Sequence, residues 1–299
     1  MTSWLFPLAA WLAAPLLPGL IYRVKARFAG RRGTSAVQLY RDMAKLFRKG
    51  VVVSDVSCGL VRLAPLCSLG ALLTASLFLP WGGMAGPLSF RGDWVFLAYL
   101  LGLSRFVTVL GALDTGSSFE GMGASREVLL ALFVEPSLFL GMAALLPSSG
   151  EGTLASLFAP GQGAALGLLV ASSWFVALLA ENARIPVDDP KTHLELTMIH
   201  EVMILDSSGP DLALIHYAGA LKLWLFSALV ADLLLASLPV DGALRLGLFP
   251  LLVAATVLAV GLVESTMARL RLNQVPKLLL GAGALAVVAL LLKLTGERL

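Results

Sequence analysis

Residues 181–211 read ENARIPVDDPKTHLELTMIHEVMILDSSGPD. They gather Glu181, Asp188, Asp189, Glu195, Glu201, Asp206 and Asp211, with His193 and His200 among them. That is seven of the chain's 19 acidic residues and two of its three histidines. Carboxylates at the mouth of a membrane cavity are partly desolvated, which raises their pKa toward neutrality. Groups poised in that way load and release protons. Metal chemistry fits the pattern less well. His200-Glu201 begins like a zinc protease motif, but position 204 is Ile, so His-Glu-x-x-His fails. The prolines set local structure. Ile185-Pro186 stops the preceding helix, because the residue before proline avoids the helical region. Asp189 then offers a cap and Pro190 a first helical position. The sequence predicts a short helix over 190–206, with His193, Thr197 and His200 on one face and Glu201 beside it.

Other charges interrupt apolar runs. Arg105, Glu135, Lys222, Asp232 and Glu264 lie within them, and a charge at the bilayer centre costs at least about 2.5–3.5 kcal/mol. These are candidates for structural ion pairing or proton handling, though Glu264, near the inner end of its run, also fits an interfacial location. Glu135 is expected in the protein interior, because an unpaired carboxylate facing hydrocarbon is too costly. Arg62 and Lys293 lie near the ends of their runs, where a long side chain reaches the interface. Segment 114–127, DTGSSFEGMGASRE, surrounds Asp114, Glu120, Arg126 and Glu127 with glycine and serine and reads as a flexible acidic loop. It has no Gly-x-x-x-x-Gly-Lys, so nucleotide binding is not indicated.

The elements that hold these residues are membrane helices. The 299 residues are 58% hydrophobic and 14% charged, against about 25% charged in a soluble domain. A span needs about 20 mainly apolar residues. Eight such runs occur, near 3–22, 58–80, 94–113, 128–147, 162–180, 212–238, 246–267 and 278–295. The fold class is therefore all-α: one polytopic membrane domain over 1–299, with amphipathic helices in its loops. No basic region precedes the first apolar run, so a signal peptide is not expected. Pro7, Pro15 and Pro18 predict a kink in the first span. Lys and Arg place loops 23–57, 114–127, 181–211 and 268–277 in the cytoplasm, 15 against three on the other side, with both termini outside. The same bias accounts for the net charge of +3 without nucleic acid. Within 23–57, QLYRDMAKLFRK spaces Leu39, Tyr40, Met43, Leu46 and Phe47 as one apolar helix face. That helix is a lipid-surface anchor or a platform for a soluble subunit. Cys58 and Cys67 match no metal spacing and read as buried small residues.

The 181–211 run, with Gly-Met-Gly-Ala-Ser-Arg-Glu at 121–127, resembles the large membrane subunit of energy-converting group 4 nickel–iron hydrogenases of the formate hydrogenlyase and hydrogenase-4 type. That family is homologous to the quinone-cavity subunit of respiratory complex I. The likeness covers nearly the whole chain and its eight-run layout. Arg126 and Glu135, nine apart, resemble an Arg and a Glu in the fourth helix of the complex I subunit. Glu181, Arg184, Pro186 and Asp188 resemble its Glu-Thr-Asn-Arg-Ala-Pro-Phe-Asp run, and Glu195 and Glu201 its later loop carboxylates. Gln38, Asp42 and Lys45 resemble its first cytoplasmic helix, and residues 269–276 the basic run before its last helix. Asp189-Pro190-Lys191 stands where complex I usually has Leu-Pro-Glu, and His193 and His200 follow a hydrogenase-like pattern.

The resemblance implies a membrane-anchoring, ion-coupling subunit of a hydrogenase in a bacterial or archaeal cytoplasmic membrane. Its partners would be nickel–iron large and small subunits, an iron–sulfur subunit and an antiporter-like membrane subunit. It implies a proton or ion path through Glu135, Glu181, Asp188, Glu195, Glu201, Asp114, Glu120, Asp232 and Glu264. Arg105, Arg126, Arg184 and Lys222 would be their charge partners. Gln38, Asp42, Lys45, His193, His200, Arg269 and Arg271 would dock the soluble arm. This chain offers no ligands for nickel, iron or flavin, so no cofactor is expected on it, and catalysis would belong to the complex. The alternative is the quinone-cavity subunit of a complex I-like NAD(P)H or ferredoxin dehydrogenase. A stand-alone transporter would be marked by an inverted repeat, and the sequence shows none.

Overall fold

The computed structural model describes residues 2–147, 152–160, 163–189, 198–240 and 242–296. The first span is two helices, α1 (Leu5–Ala13) and α2 (Leu17–Phe28), joined by a 3-10 turn over Ala14–Leu16. Pro15 lies in that turn, because proline removes an N–H and clashes with the preceding carbonyl. Then come α3 (Gln38–Leu46), α4 (Leu60–Ser76), α5 (Asp93–Asp114), α6 (Ser118–Leu145), the one-turn α7 (Leu154–Leu157), α8 (Ala164–Glu181), α9 (Gly209–Ala236), α10 (Gly242–Thr266) and α11 (Val275–Thr295). Seven helical segments are long and apolar enough to cross a membrane, counting α1 and α2 as one. The remaining run, 58–80, yields α4, at 17 residues the lower limit of a span. The protein is a multi-pass membrane protein. Its outer surface carries large exposed apolar side chains such as Leu132, Leu251, Leu258 and Leu294, as a surface facing hydrocarbon requires.

The bundle is built around α9. It packs against α2, α3, α4, α8 and α10, and every residue from Leu223 to Leu233 is buried. Helix α6 packs against α5, α8 and α11. Small residues allow the close approaches: at Gly141 an added Cβ would lie 2.4 Å from Trp174 Nε1. The amphipathic α3 lies on α9 and on the 3-10 turn of the first span, with Tyr40 donating to the Leu12 carbonyl.

Three expectations are corrected. Segment 114–127 is helical except at 115–117, since α5 runs to Asp114 and α6 starts at Ser118. Its three glycines and three serines are tolerated because α6 gains its stability from tertiary packing rather than from propensity. The expected helix over 190–206 falls partly outside the described residues, which omit 190–197. The remainder is a 3-10 turn, Glu201–Ile204, packed on α6. Cys58 and Cys67 are exposed, not buried; Cys67 lies on an outward face of α4.

Candidate functional site

Arg105, in the middle of α5, is buried and faces three carboxylates. Its Nη2 donates to Glu181 at the end of α8, its Nη1 donates to Glu135 on α6, and its Nε lies 3.3 Å from Glu127, also on α6. Lys222 of α9 reaches the second oxygen of Glu181 at 2.6 Å. A helical side chain cannot move its backbone to find a partner, so a buried guanidinium at this depth needs charges from several helices. The three N–H edges of Arg105 receive them from α6 and α8.

The network continues to the loop. His200 places Nε2 3.0 Å from Glu127 and Nδ1 3.6 Å from Asp188. Asp188 also accepts backbone N–H groups from Asp189 at 2.9 Å and from Ile199 and His200 at 3.1 Å each, and pairs with Arg269 at 3.0 Å. Those bonds tie the segment after α8 to the segment before α9. Arg126 adds to the tie by donating to the Met198 carbonyl at 2.8 Å. Burial disfavours the imidazolium of His200, but Glu127 and Asp188 outweigh it and push its pKa up to about 10. Burial likewise works against ionised Asp188, but the contacts from His200 and Arg269 hold it below the usual aspartate range.

A cavity of about 590 Å³ runs beside this network. Arg105, Glu127, Glu181, His200 and Lys222 form one part of its wall, Ala64, Pro65, Leu72 and Ala218 an apolar part, and Tyr22, Gln38, Asp42 and Lys45 another. Gln38 donates to Asp42 at 2.9 Å, and Lys45 lies 4.0 Å from it. A second cavity of about 330 Å³ lies between α5 and α6 and includes Arg105, Glu135, Tyr99, Phe106 and Phe139.

Several expected residues have other places. Glu135 is not interior: its side chain is 48% exposed on the outer face of the bundle, although Arg105 binds it from within. Asp114 caps α4, accepting from Cys58 N at 2.9 Å and Val61 N at 3.0 Å. Glu120 is buried at the start of α6, taking the Thr115 hydroxyl and the Asp206 N–H at 2.9 Å. Glu264 forms a separate buried pair with Lys25 at 2.8 Å and Arg184 at 3.4 Å. Asp232 is buried near the other end of α9, with Arg245 as its charged neighbour. Glu201 borders the large cavity, and Arg271 is exposed. His193 and Glu195 lie outside the described residues. Sequence reasoning left Glu127, the carboxylate that joins Arg105 to His200, out of the ion path, and did not single out Lys25. Glu120 and Glu127 are seven apart, so a helical reading of 118–127 puts them on one face. Among the described residues, no group of three or more His, Cys, Asp or Glu is placed to hold a metal ion.

The family model described as NADH dehydrogenase matches residues 2–294. The chain belongs to this family. Among its curated relatives, formate hydrogenlyase subunit 4 of Escherichia coli (strain K12) is 31% identical over 95% of this chain and 96% of its own length. Hydrogenase-4 component C of the same organism is 33% identical over 75% of this chain and 71% of its own. In fold, this family member matches a chain in the structure of the membrane-bound sulfane sulfur reductase, an archaeal respiratory membrane complex. The TM-score is 0.82 at 20% identity, covering 97% of this chain and 98% of that one.

Proposed function

We propose that this chain is the membrane-anchoring and ion-coupling subunit of a membrane-bound nickel–iron hydrogenase of the formate hydrogenlyase type. One observation carries the reading: an unbroken series of charged side chains leads from Arg269 and the buried Asp188 in the loops, through His200 and Glu127, to Arg105, Glu181 and Lys222 inside the bundle. A protein that only anchored a soluble arm would gain nothing from it, since a buried ion pair is weak evidence for stability. The likeness to formate hydrogenlyase subunit 4 and hydrogenase-4 component C supports the hydrogenase assignment. In this reading the partners are nickel–iron large and small subunits, an iron–sulfur subunit and an antiporter-like membrane subunit. The chain itself binds no nickel, iron or flavin. Both termini lie outside a bacterial or archaeal cytoplasmic membrane. Gln38, Asp42, Lys45, Arg269 and Arg271 face the soluble arm.

The test is affinity purification from the native membrane. A nickel–iron large subunit in the eluate supports the assignment, and NADH-oxidising flavoprotein subunits in its place overturn it. A second reading, the quinone-cavity subunit of a complex I-like dehydrogenase, is favoured by the part-apolar cavity of about 590 Å³ with charged groups on its wall. Quinone recovered in stoichiometric amount from the purified complex would support that reading.

A further inference from the structure

His200 stands between two buried carboxylates, Asp188 in the loop and Glu127 on α6. Its two ring nitrogens face one carboxylate each, at 3.6 and 3.0 Å, and neither contact is an aligned hydrogen bond. Turning the ring brings one N–H or the other into line, so the residue has two productive positions. It borders the large cavity and keeps 20% of its side-chain surface exposed, which leaves room to turn. Arg105 is held more firmly: two of its nitrogens make direct hydrogen bonds to carboxylates.

We propose that His200 carries protons one at a time between Asp188 and Glu127, by turning its ring between them. The inference rests on the ion-coupling reading above. In each passage Nε2 releases its proton to a Glu127 oxygen, leaving a neutral ring. The ring turns, and the bare nitrogen takes a proton from Asp188 or from water beside it. An N–H bond breaks as an O–H bond forms on Glu127, and an N–H bond forms as an O–H bond breaks on Asp188 or water. The charges facing His200 suit the exchange. Glu127 on α6 and Asp188 in the loop hold the imidazolium. Arg105 on α5 and Lys222 on α9 draw on Glu127, and Arg269 draws on Asp188, so the proton rests on the imidazolium between passages. Glu181 and Glu201 complete the acidic surroundings. The elevated His200 pKa agrees with this electrostatic setting.

The experiment uses the assembled complex in sealed vesicles and reads protons moved per hydrogen molecule formed, with sodium movement followed in parallel. His200→Lys keeps a cation but has no second nitrogen. His200→Ala opens space that free imidazole can enter. The expected result is a fall of about tenfold or more in the ratio for both variants. Imidazole should restore the ratio for His200→Ala, and methylammonium should not. If His200→Ala does not assemble, His200→Lys decides alone. A His200→Lys complex with the wild-type ratio, or equal rescue by methylammonium, overturns the relay and leaves a structural cation. A wild-type complex that moves sodium and no protons also overturns the relay alone. A wild-type complex that forms hydrogen and moves no ion overturns the coupling reading itself.

Discussion

Asp93 and Arg105 lie on the same helix, 12 residues and therefore about 18 Å apart, and they use their charges differently. Asp93 accepts from the Leu154 N–H and from Ser89 Oγ, the latter at 2.7 Å. At the same end of the bundle, Arg245 donates to the Phe158 carbonyl at 2.8 Å. These charges bind backbone and fix loops, and the cavity nearby, beside Trp81 and Trp224, is only about 10 Å³. Arg105 instead binds other ionised side chains, next to a cavity of about 590 Å³. A charge hydrogen-bonded to fixed backbone and hydroxyl groups is held in one geometry. A charge bonded to charges beside open space can change partners. The proposed function needs this contrast: structure at the far end and ion handling at the loop end.

The largest expected effect comes from Arg105→Met, which leaves Glu127, Glu135 and Glu181 without their shared cation. Breaking a buried pair costs about 3–5 kcal/mol, and here three carboxylates lose one partner. The assembled complex should disappear from native gels of solubilised membranes. Asp93→Asn, which keeps a side-chain oxygen for the Leu154 N–H, should still assemble. Equal abundance of the two variants would erase the distinction between the two ends.

Next in size is a steric test of how the loop is seated. A Cβ on Gly123 would lie 2.3 Å from Val202 Cγ1 and 2.9 Å from the Ile199 carbonyl oxygen, whereas one on Gly121 would meet nothing within 4 Å. Gly123→Ala should cost about 1–3 kcal/mol as the 3-10 turn is pushed off α6. Gly121→Ala should gain up to about 1 kcal/mol of helix propensity. Thermal melting of the complex, with limited proteolysis between residues 182 and 208, separates the two. A normal melting profile for Gly123→Ala would show that the loop is not held by that contact.

How legible was this in the sequence? The spans were, because long apolar runs have few alternatives. The kink after α1 was marked by Pro15 and α3 by its apolar face. The charges Arg105 and Lys222 stood out within apolar runs, and Glu181 within the acidic segment 181–211. What was hidden is pairing, which depends on how helices far apart in sequence rotate against each other. Glu127 was hidden by the glycines and serines around it, which read as a loop until packing made them a helix. Glu135 was placed inside because a lone charge in hydrocarbon is costly. The structure meets that cost from one side only, through Arg105, and leaves the carboxylate at the bundle surface.

That half-exposed position sharpens the comparison again. Glu135→Gln removes charge but not shape, and Arg105 keeps Glu127 and Glu181 as partners. The complex should therefore still assemble. Ion movement in vesicles should fall several-fold, with hydrogen formation from an artificial donor near the wild-type rate. Full ion movement would remove Glu135 from the path.

The smallest effect is local and depends on pH. Asp188 holds the N–H groups of Ile199 and His200, each at 3.1 Å, and His200 in turn faces Asp188 and Glu127. His200 has a folded pKa of about 10, above its unfolded value of about 6.5. Its contribution is therefore complete below about pH 6.5 and is lost as pH rises through about 10. Asp188 has the opposite sign. Its folded pKa is lowered, so its contribution is present above about pH 4 and is lost as pH falls through the folded value. The clamp on the loop should be strongest between those limits and should loosen on the alkaline side first. Hydrogen exchange of the Ile199 and His200 amides, corrected for the intrinsic base-catalysed rate, should show protection declining from pH 6.5 to 10. The Leu154 amide, bound to Asp93 at the far end, should keep its protection over that range. In His200→Gln the alkaline decline should vanish while the acid-side loss remains. If the amides of Ile199 and His200 follow Leu154 at every pH, histidine charge does not hold the loop, and the two ends of the bundle differ less than their ion pairs suggest.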